Sequence, residues 1–153
     1  MEIREKFTVM APIKEVWSFI NDPLKIADCI PGCERVEKID ERTYESLVKA
    51  GVGPIKVHFK LTTILTQIDE PRRIKMETRG ADLGFAGSVT QSTEVNLKEV
   101  SENETEISYS SNITVVGRIA LFGERIMRAK AKELGEQFVK NIKERLERKE
   151  VSS

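Results

Sequence analysis

The chain is poor in the residues that hold metals or carry redox chemistry. It has two cysteines, Cys29 and Cys33, and a single histidine, His58. A structural zinc site draws on four Cys or His ligands in paired clusters, so these three fall short and no carboxylates stand out to complete a set. The C-x-x-x-C spacing is one residue longer than that of a thioredoxin-type pair. No metal site and no redox pair is expected. An excess of charge is missing too: 25 Lys and Arg balance 25 Asp and Glu. Without a net field there is no general attraction to nucleic acid. No apolar run approaches the ~20 residues of a membrane span. The opening "MEIREKFTVM" is charged and alternating, unlike a secretory signal. Two cysteines without an export signal indicate the cytoplasm, with both thiols reduced. Internal repeats and linkers are absent, so one domain is expected over 1–149, with a disordered tail at 150–153.

What is present is period. "EIREKFTV" sets Ile3, Phe7 and Val9 on one side of a strand, with Glu5 on that side at a rim. "APIKEVWSFI" changes to helical spacing after Pro12, with Ile13, Val16, Trp17 and Ile20 on one face. Asn21-Asp22-Pro23 stops it, and "PLKIADCI" reads as a second short helix ended by Pro31-Gly32. Strands and turns follow to Thr114. In "IKVHFKLTTILTQI", Ile55, Val57, Phe59 and Leu61 share a face; Ile64 and Ile68 then take over, which places a bulge at Thr62-Thr63. His58 points outward by parity. "ADLGFAG" is a loop. From Gly117 to about Lys149 the spacing is helical, with Ile119, Phe122, Ile126, Leu134, Phe138, Ile142 and Leu146 as one stripe. Such a helix is ~45 Å long at 1.5 Å per residue, so its last turns should overhang the sheet in solvent. The order is strand, two short helices, about six antiparallel strands and one long helix: an α+β layer with the sheet bent over the C-terminal helix.

A sheet wrapped on one helix encloses a volume that side chains must fill or leave open. The inward candidates include Phe59, Leu61, Met76, Tyr109, Phe122, Ile126 and Met127. Strand parity adds Thr78, Gln91, Thr93 and Ser111 to that face. Small polar groups in mid-sheet leave space and offer hydrogen bonds, as in a small-molecule pocket; equally, neighbouring strands or buried water can satisfy them.

The stretch "APIKEVWSFINDPLKIADCIPGCERVE", then "AGVGPIKVHFKL", then "VVGRIALFGERIM", resembles the family of the carbon monoxide dehydrogenase protein CoxG, within the START-like (SRPBCC) helix-grip superfamily. The resemblance runs in order over nearly the whole chain. It implies a helix-grip fold with a bent seven-stranded antiparallel sheet around the C-terminal helix, and an internal apolar cavity. It makes the two cysteines part of a family corner, packed as small apolar residues. It implies accessory work for a molybdenum-hydroxylase complex of the carbon monoxide dehydrogenase type, including attachment to the cytoplasmic membrane, with the redox cofactors on other subunits.

The expected function is therefore a non-catalytic one: binding a hydrophobic small molecule, a lipid or quinone, in the cavity, with peripheral membrane contact and no cofactor of its own. The lining expected is Phe59, Leu61, Met76, Thr78, Gln91, Tyr109, Ser111, Phe122, Ile126 and Met127. Leu83 and Phe85 on the "DLGFAG" tip and Leu121 beside Arg118, Arg125 and Arg128 are the candidate membrane contacts. Two alternatives stand beside it. One is an assembly factor acting only through protein contacts. The other is a polyketide-cyclase-like enzyme using Tyr109 or Gln91, although no nucleophile–base pair demands it.

Overall fold

The computed structural model describes the backbone of residues 1–151 and the side chains of residues 1–147; the tail expected at 150–153 lies outside the described side chains. Strand β1 (Glu2–Val9) leads to helix α1 (Ile13–Ile20), helix α2 (Pro23–Ile26) and a 3-10 turn (Ala27–Cys29). Strands β2 (Cys33–Asp40), β3 (Thr43–Val52), β4 (Ile55–Asp69), β5 (Arg73–Asp82), β6 (Ser88–Ser101) and β7 (Glu104–Val116) follow. A second 3-10 turn (Arg118–Phe122) precedes helix α3 (Glu124–Val151). The strands form one seven-stranded sheet in the order β1-β7-β6-β5-β4-β3-β2, and every pairing is antiparallel.

Local signals explain the breaks. Pro12 precedes α1 in an extended conformation, and the Asp22 carboxylate caps α2 by accepting the Leu24 N–H at 3.0 Å. The capping oxygen satisfies one of the orphan donors of the first turn. Gly123 takes φ of 87°, a left-handed conformation that ends the 3-10 turn and resets the helical phase before α3. The single continuous stripe expected from Ile119 onward is thereby split. Ile126 falls outside it and is 43% exposed.

The expected bulge in β4 is displaced. Register holds through Leu65↔Met76 and shifts between Leu65 and Gln67. Leu65 is consequently the inward residue, 7% exposed, whereas Ile64 faces out at 36%. The change of phase comes later along the strand than alternation alone predicts.

The apolar interior falls into two clusters. One packs Val9, Val16, Trp17, Phe19, Leu65 and Ile74 with Ile142 and Leu146 of α3. The other joins Val52, Val57, Ala86 and Ile119 to Phe59, Phe122 and Met127. The last turns described for α3 do not overhang. Ile142 and Leu146 are each 2% exposed. The Asn141 amide donates to the Cys29 carbonyl at 3.0 Å, Arg145 pairs with Asp28 at 3.1 Å, and the Arg145 guanidinium lies over the Phe19 ring. The α1–α2 corner is what clamps this end of the helix. Cys29 is buried within that corner and Cys33 half-buried at the start of β2, both as free thiols.

Candidate functional site

The cross-strand register fixes which side chains face α3. Thr78 stands opposite Gln91, Thr93 opposite Ser111 and Gln91 opposite Ile113, so the polar residues assigned inward by parity do share the concave face. They satisfy one another. Thr93 Oγ1 and Ser111 Oγ lie 2.9 Å apart, the Gln91 amide donates to both at 3.2 and 3.1 Å, and Thr63 and Thr78 hydroxyls meet at 2.9 Å. This hydroxyl–amide band separates the two apolar clusters.

Along the band the helix covers the sheet without sealing it. No residue of α3 from 124 to 141 is buried, and Leu61, Thr63, Thr78, Gln91 and Thr93 beneath are only half-buried. The closest approach is on the β1–β7 side, where a Cβ on Gly135 would stand 3.0 Å from the Tyr109 hydroxyl and the Tyr109 and Phe138 rings meet edge-to-face. Burial, with the Glu5 carboxylate nearby, pushes the Tyr109 phenol up to about 12. Glu5 pairs with Tyr109 on this inner face of the edge strand, half-buried rather than at an open rim.

The enclosed void lies at the α1–α2 end. A pocket of about 130 Å³ is bounded by Ile20, Ile26, Ile30, Val36, Leu65 and Met76, among others. It abuts an open depression of about 430 Å³ through Asn21, Pro23 and Tyr44, which border both. Of the ten lining residues expected from sequence, Met76 alone borders this pocket. Thr78, Gln91, Tyr109 and Ser111 belong to the band or its edge; Phe59, Phe122 and Met127 pack in or on the second cluster; Leu61 is half-buried between them; Ile126 faces outward. Sequence reasoning missed Ile20, Ile26 and Ile30. Their signal was two short, proline-punctuated helices carrying isoleucines at uneven spacing, which cannot lie flat on a sheet.

The far end carries an apolar tip. Leu83, Phe85 and Leu121 are 53%, 92% and 85% exposed. Two loops bring them together: the Ile119 N–H donates to the Ala86 carbonyl at 3.0 Å, and Gly117 packs on Gly87 so closely that a Cβ there would lie 2.6 Å from the Gly87 Cα. Asp82, 5% exposed, organises the β5–β6 loop through its carboxylate, which accepts the backbone N–H groups of His58 at 2.6 Å and Ala86 at 2.9 Å. The imidazole of His58 points to the outer face, as parity required, with Nε2 2.5 Å from Glu34 Oε1. Among the described residues no group of three or more His, Cys, Asp or Glu is arranged to hold a metal ion.

An antiparallel sheet bent over one long terminal helix, with an incompletely filled concave face, defines a START-like helix-grip protein. The family follows from the sequence: the profile of the carbon monoxide dehydrogenase protein CoxG matches residues 6–147, and the chain belongs to that family. Three solved structures illustrate the likeness. A conserved protein from Geobacillus kaustophilus is 25% identical, with a TM-score of 0.87 and 95% of each chain covered. A START superfamily protein from Mycobacterium smegmatis is 13% identical, with a TM-score of 0.76 and coverage of 96% of this chain and 97% of the other. The ZhuI aromatase/cyclase from Streptomyces sp. R1128 is 16% identical, with a TM-score of 0.74 and coverage of 97% and 94%. No curated protein sequence matches the chain significantly.

Proposed function

We propose that this CoxG-family protein is a non-catalytic carrier. It takes up a hydrophobic molecule, a lipid or an isoprenoid quinone, beneath α3, and docks a molybdenum-hydroxylase complex of the carbon monoxide dehydrogenase type at the cytoplasmic membrane face. The observation that carries this is the pairing of an unsealed concave face with an exposed apolar tip. Leu83, Phe85 and Leu121 cluster where the chain enters α3, and Arg118 and Arg125 flank them, all exposed. Apolar side chains ringed by arginines suit a lipid headgroup boundary. No helix is long and apolar enough to cross a membrane among the described residues, so contact of this kind would be peripheral. The inner-face chemistry favours binding over catalysis: the polar band is internally hydrogen-bonded, and Tyr109 titrates far from the neutral range where a general acid or base is effective.

Two measurements test the proposal. Organic extraction of the purified protein should release a stoichiometric lipid or quinone, and the protein should float with liposomes of mixed anionic and zwitterionic lipid. Leu83→Asp with Phe85→Asp should abolish flotation while the far-ultraviolet spectrum stays unchanged. Absence of any extracted lipid, together with no binding of added quinone, removes the carrier reading. Flotation that survives the double variant removes the tip as the contact.

A further inference from the structure

The pocket beneath α1 and α2 lies at the opposite end of the sheet from the apolar tip, and membrane docking gives it no task. We propose that it is a second binding site, for a small neutral molecule: one apolar ring or a body of similar size, with a carbonyl-type oxygen at one end. The inference stands on the geometry of this pocket and does not rest on the carrier reading.

Size sets the apolar part. The pocket holds about 130 Å³, and an aliphatic cavity of about 150 Å³ accepts benzene. Its walls are chiefly Ile, Val, Leu and Met, with Ser46 and Thr63 as exceptions; the Thr63 hydroxyl is already paired with Thr78 at 2.9 Å. A ring therefore fits the floor with little polar desolvation.

The mouth sets the polar part. Two carboxylates border it, and both are engaged: Asp22 accepts from the Leu24 N–H at 3.0 Å, and Glu70 from the Trp17 indole N–H at 2.8 Å. The Asn21 side-chain amide and the Tyr44 hydroxyl have no partner among the described residues, and these two border both the inner pocket and the outer depression. Lys38 stands at the outer rim, with only a 3.9 Å contact to exposed Glu41. The groups left over can all donate, so the complementary head is an acceptor. Asp22 and Glu70 offset the Lys38 charge, which disfavours a full anion and leaves a neutral carbonyl as the match.

The test uses acetophenone, followed by methyl NMR. Saturable shifts are expected at Ile20, Ile26, Ile30 and Met76. Benzoate and benzylamine, with the same ring, should bind at least about fivefold more weakly because an unmatched charge must be desolvated. Tyr44→Phe should weaken acetophenone roughly five- to tenfold, the worth of one hydrogen bond. Val36→Phe, on edge strand β2, should fill the pocket and abolish the shifts; Ser46→Leu serves if that variant does not fold. Shifts confined to residues under the middle of α3, affinity unchanged in the filled-pocket variant, or equal binding of all three probes would each overturn the site. An unchanged affinity in Tyr44→Phe would overturn the assigned head-group contact. Liposome flotation of the same filled-pocket variant should match wild type, so failure of this site and failure of the carrier reading register separately.

Discussion

Asp82 Oδ1 accepts the backbone N–H of His58 at 2.6 Å, which ties strand β4 to the loop that presents Leu83 and Phe85. With the Ala86 N–H on its other oxygen at 2.9 Å, one buried carboxylate sets the shape of an exposed apolar surface. Removing it should loosen the tip without touching any apolar residue in it.

The same contact makes the loop acid-sensitive. The His58 N–H first, then that of Ala86, stabilise the anion and hold the Asp82 carboxyl below its ordinary range, against the opposing effect of burial. An unfolded aspartate titrates near 3.9, so in the window below that value the unfolded chain binds more protons and stability falls with pH. The contribution is complete above about pH 4 and is lost as pH drops through the folded value. Urea midpoints at about pH 5 and about pH 3 should therefore differ more in wild type than in Asp82→Asn. Equal pH slopes in the two proteins would show that the carboxylate is not the sensor.

Phe85 has φ of 64°, a left-handed backbone at a residue that is 92% exposed. A bulky side chain pays about 1 kcal/mol or more in that conformation, while asparagine tolerates it. Phe85→Asn should accordingly raise stability by roughly 0.5–1 kcal/mol, read from chemical denaturation. Under the carrier reading it should also weaken liposome association several-fold. A variant both more stable and equally membrane-bound would leave the Phe85 ring without a role.

Tyr109 should be the later of the two tyrosines to ionise. Its phenol is raised to about 12 by burial and by Glu5, above an unfolded value of about 10. The sign is opposite to that of Asp82: the stabilisation is complete below about pH 10 and is lost as pH climbs toward the folded value. Phenolate absorbance near 295 nm should show a late step that disappears in Tyr109→Phe. A single tyrosine step at the ordinary position would contradict the packing of Tyr109 against Gly135.

Both thiols are raised by burial, so they should react with a disulfide reagent more slowly than free cysteine at neutral pH. Replacing Cys33 with Ser should leave stability within about 1 kcal/mol, and Cys29→Ala should cost about 1 kcal/mol for the small cavity it opens. Ligand uptake should be unchanged in the double variant. Release of a stoichiometric metal on that replacement would refute the packing role.

Much of this architecture was legible from alternation. The inward sides of β6 and β7 were readable because Val89, Val95 and Leu97 mark one parity without interruption, which places Gln91 and Thr93 with them. β4 was harder. In "LTTILTQI" the apolar residues sit on both parities, and only pairing with β5 shows that Leu65, and not Ile64, turns inward. The α3 stripe failed at Gly123 because a continuous helical pattern conceals one residue of left-handed backbone. The pocket bordered by Ile20, Ile26 and Val36 arises from docking two short helices across strands far from them in sequence. Periodicity within any one segment carries no trace of that contact.

The sheet order has a consequence for how the molecule is made. β1 and β2 are neighbours in sequence but occupy opposite edges, and β1 pairs only with β7, Phe7 against Ile107 and Ile3 against Ser111. During synthesis the first strand leaves the ribosome without its partner and must wait until the seventh has been translated. β2 to β6 can meanwhile zip as successive hairpins. Closure of the amino-terminal strand onto the finished meander is the last sheet pairing to form, and in that interval its apolar edge is the part of the nascent chain most in need of protection.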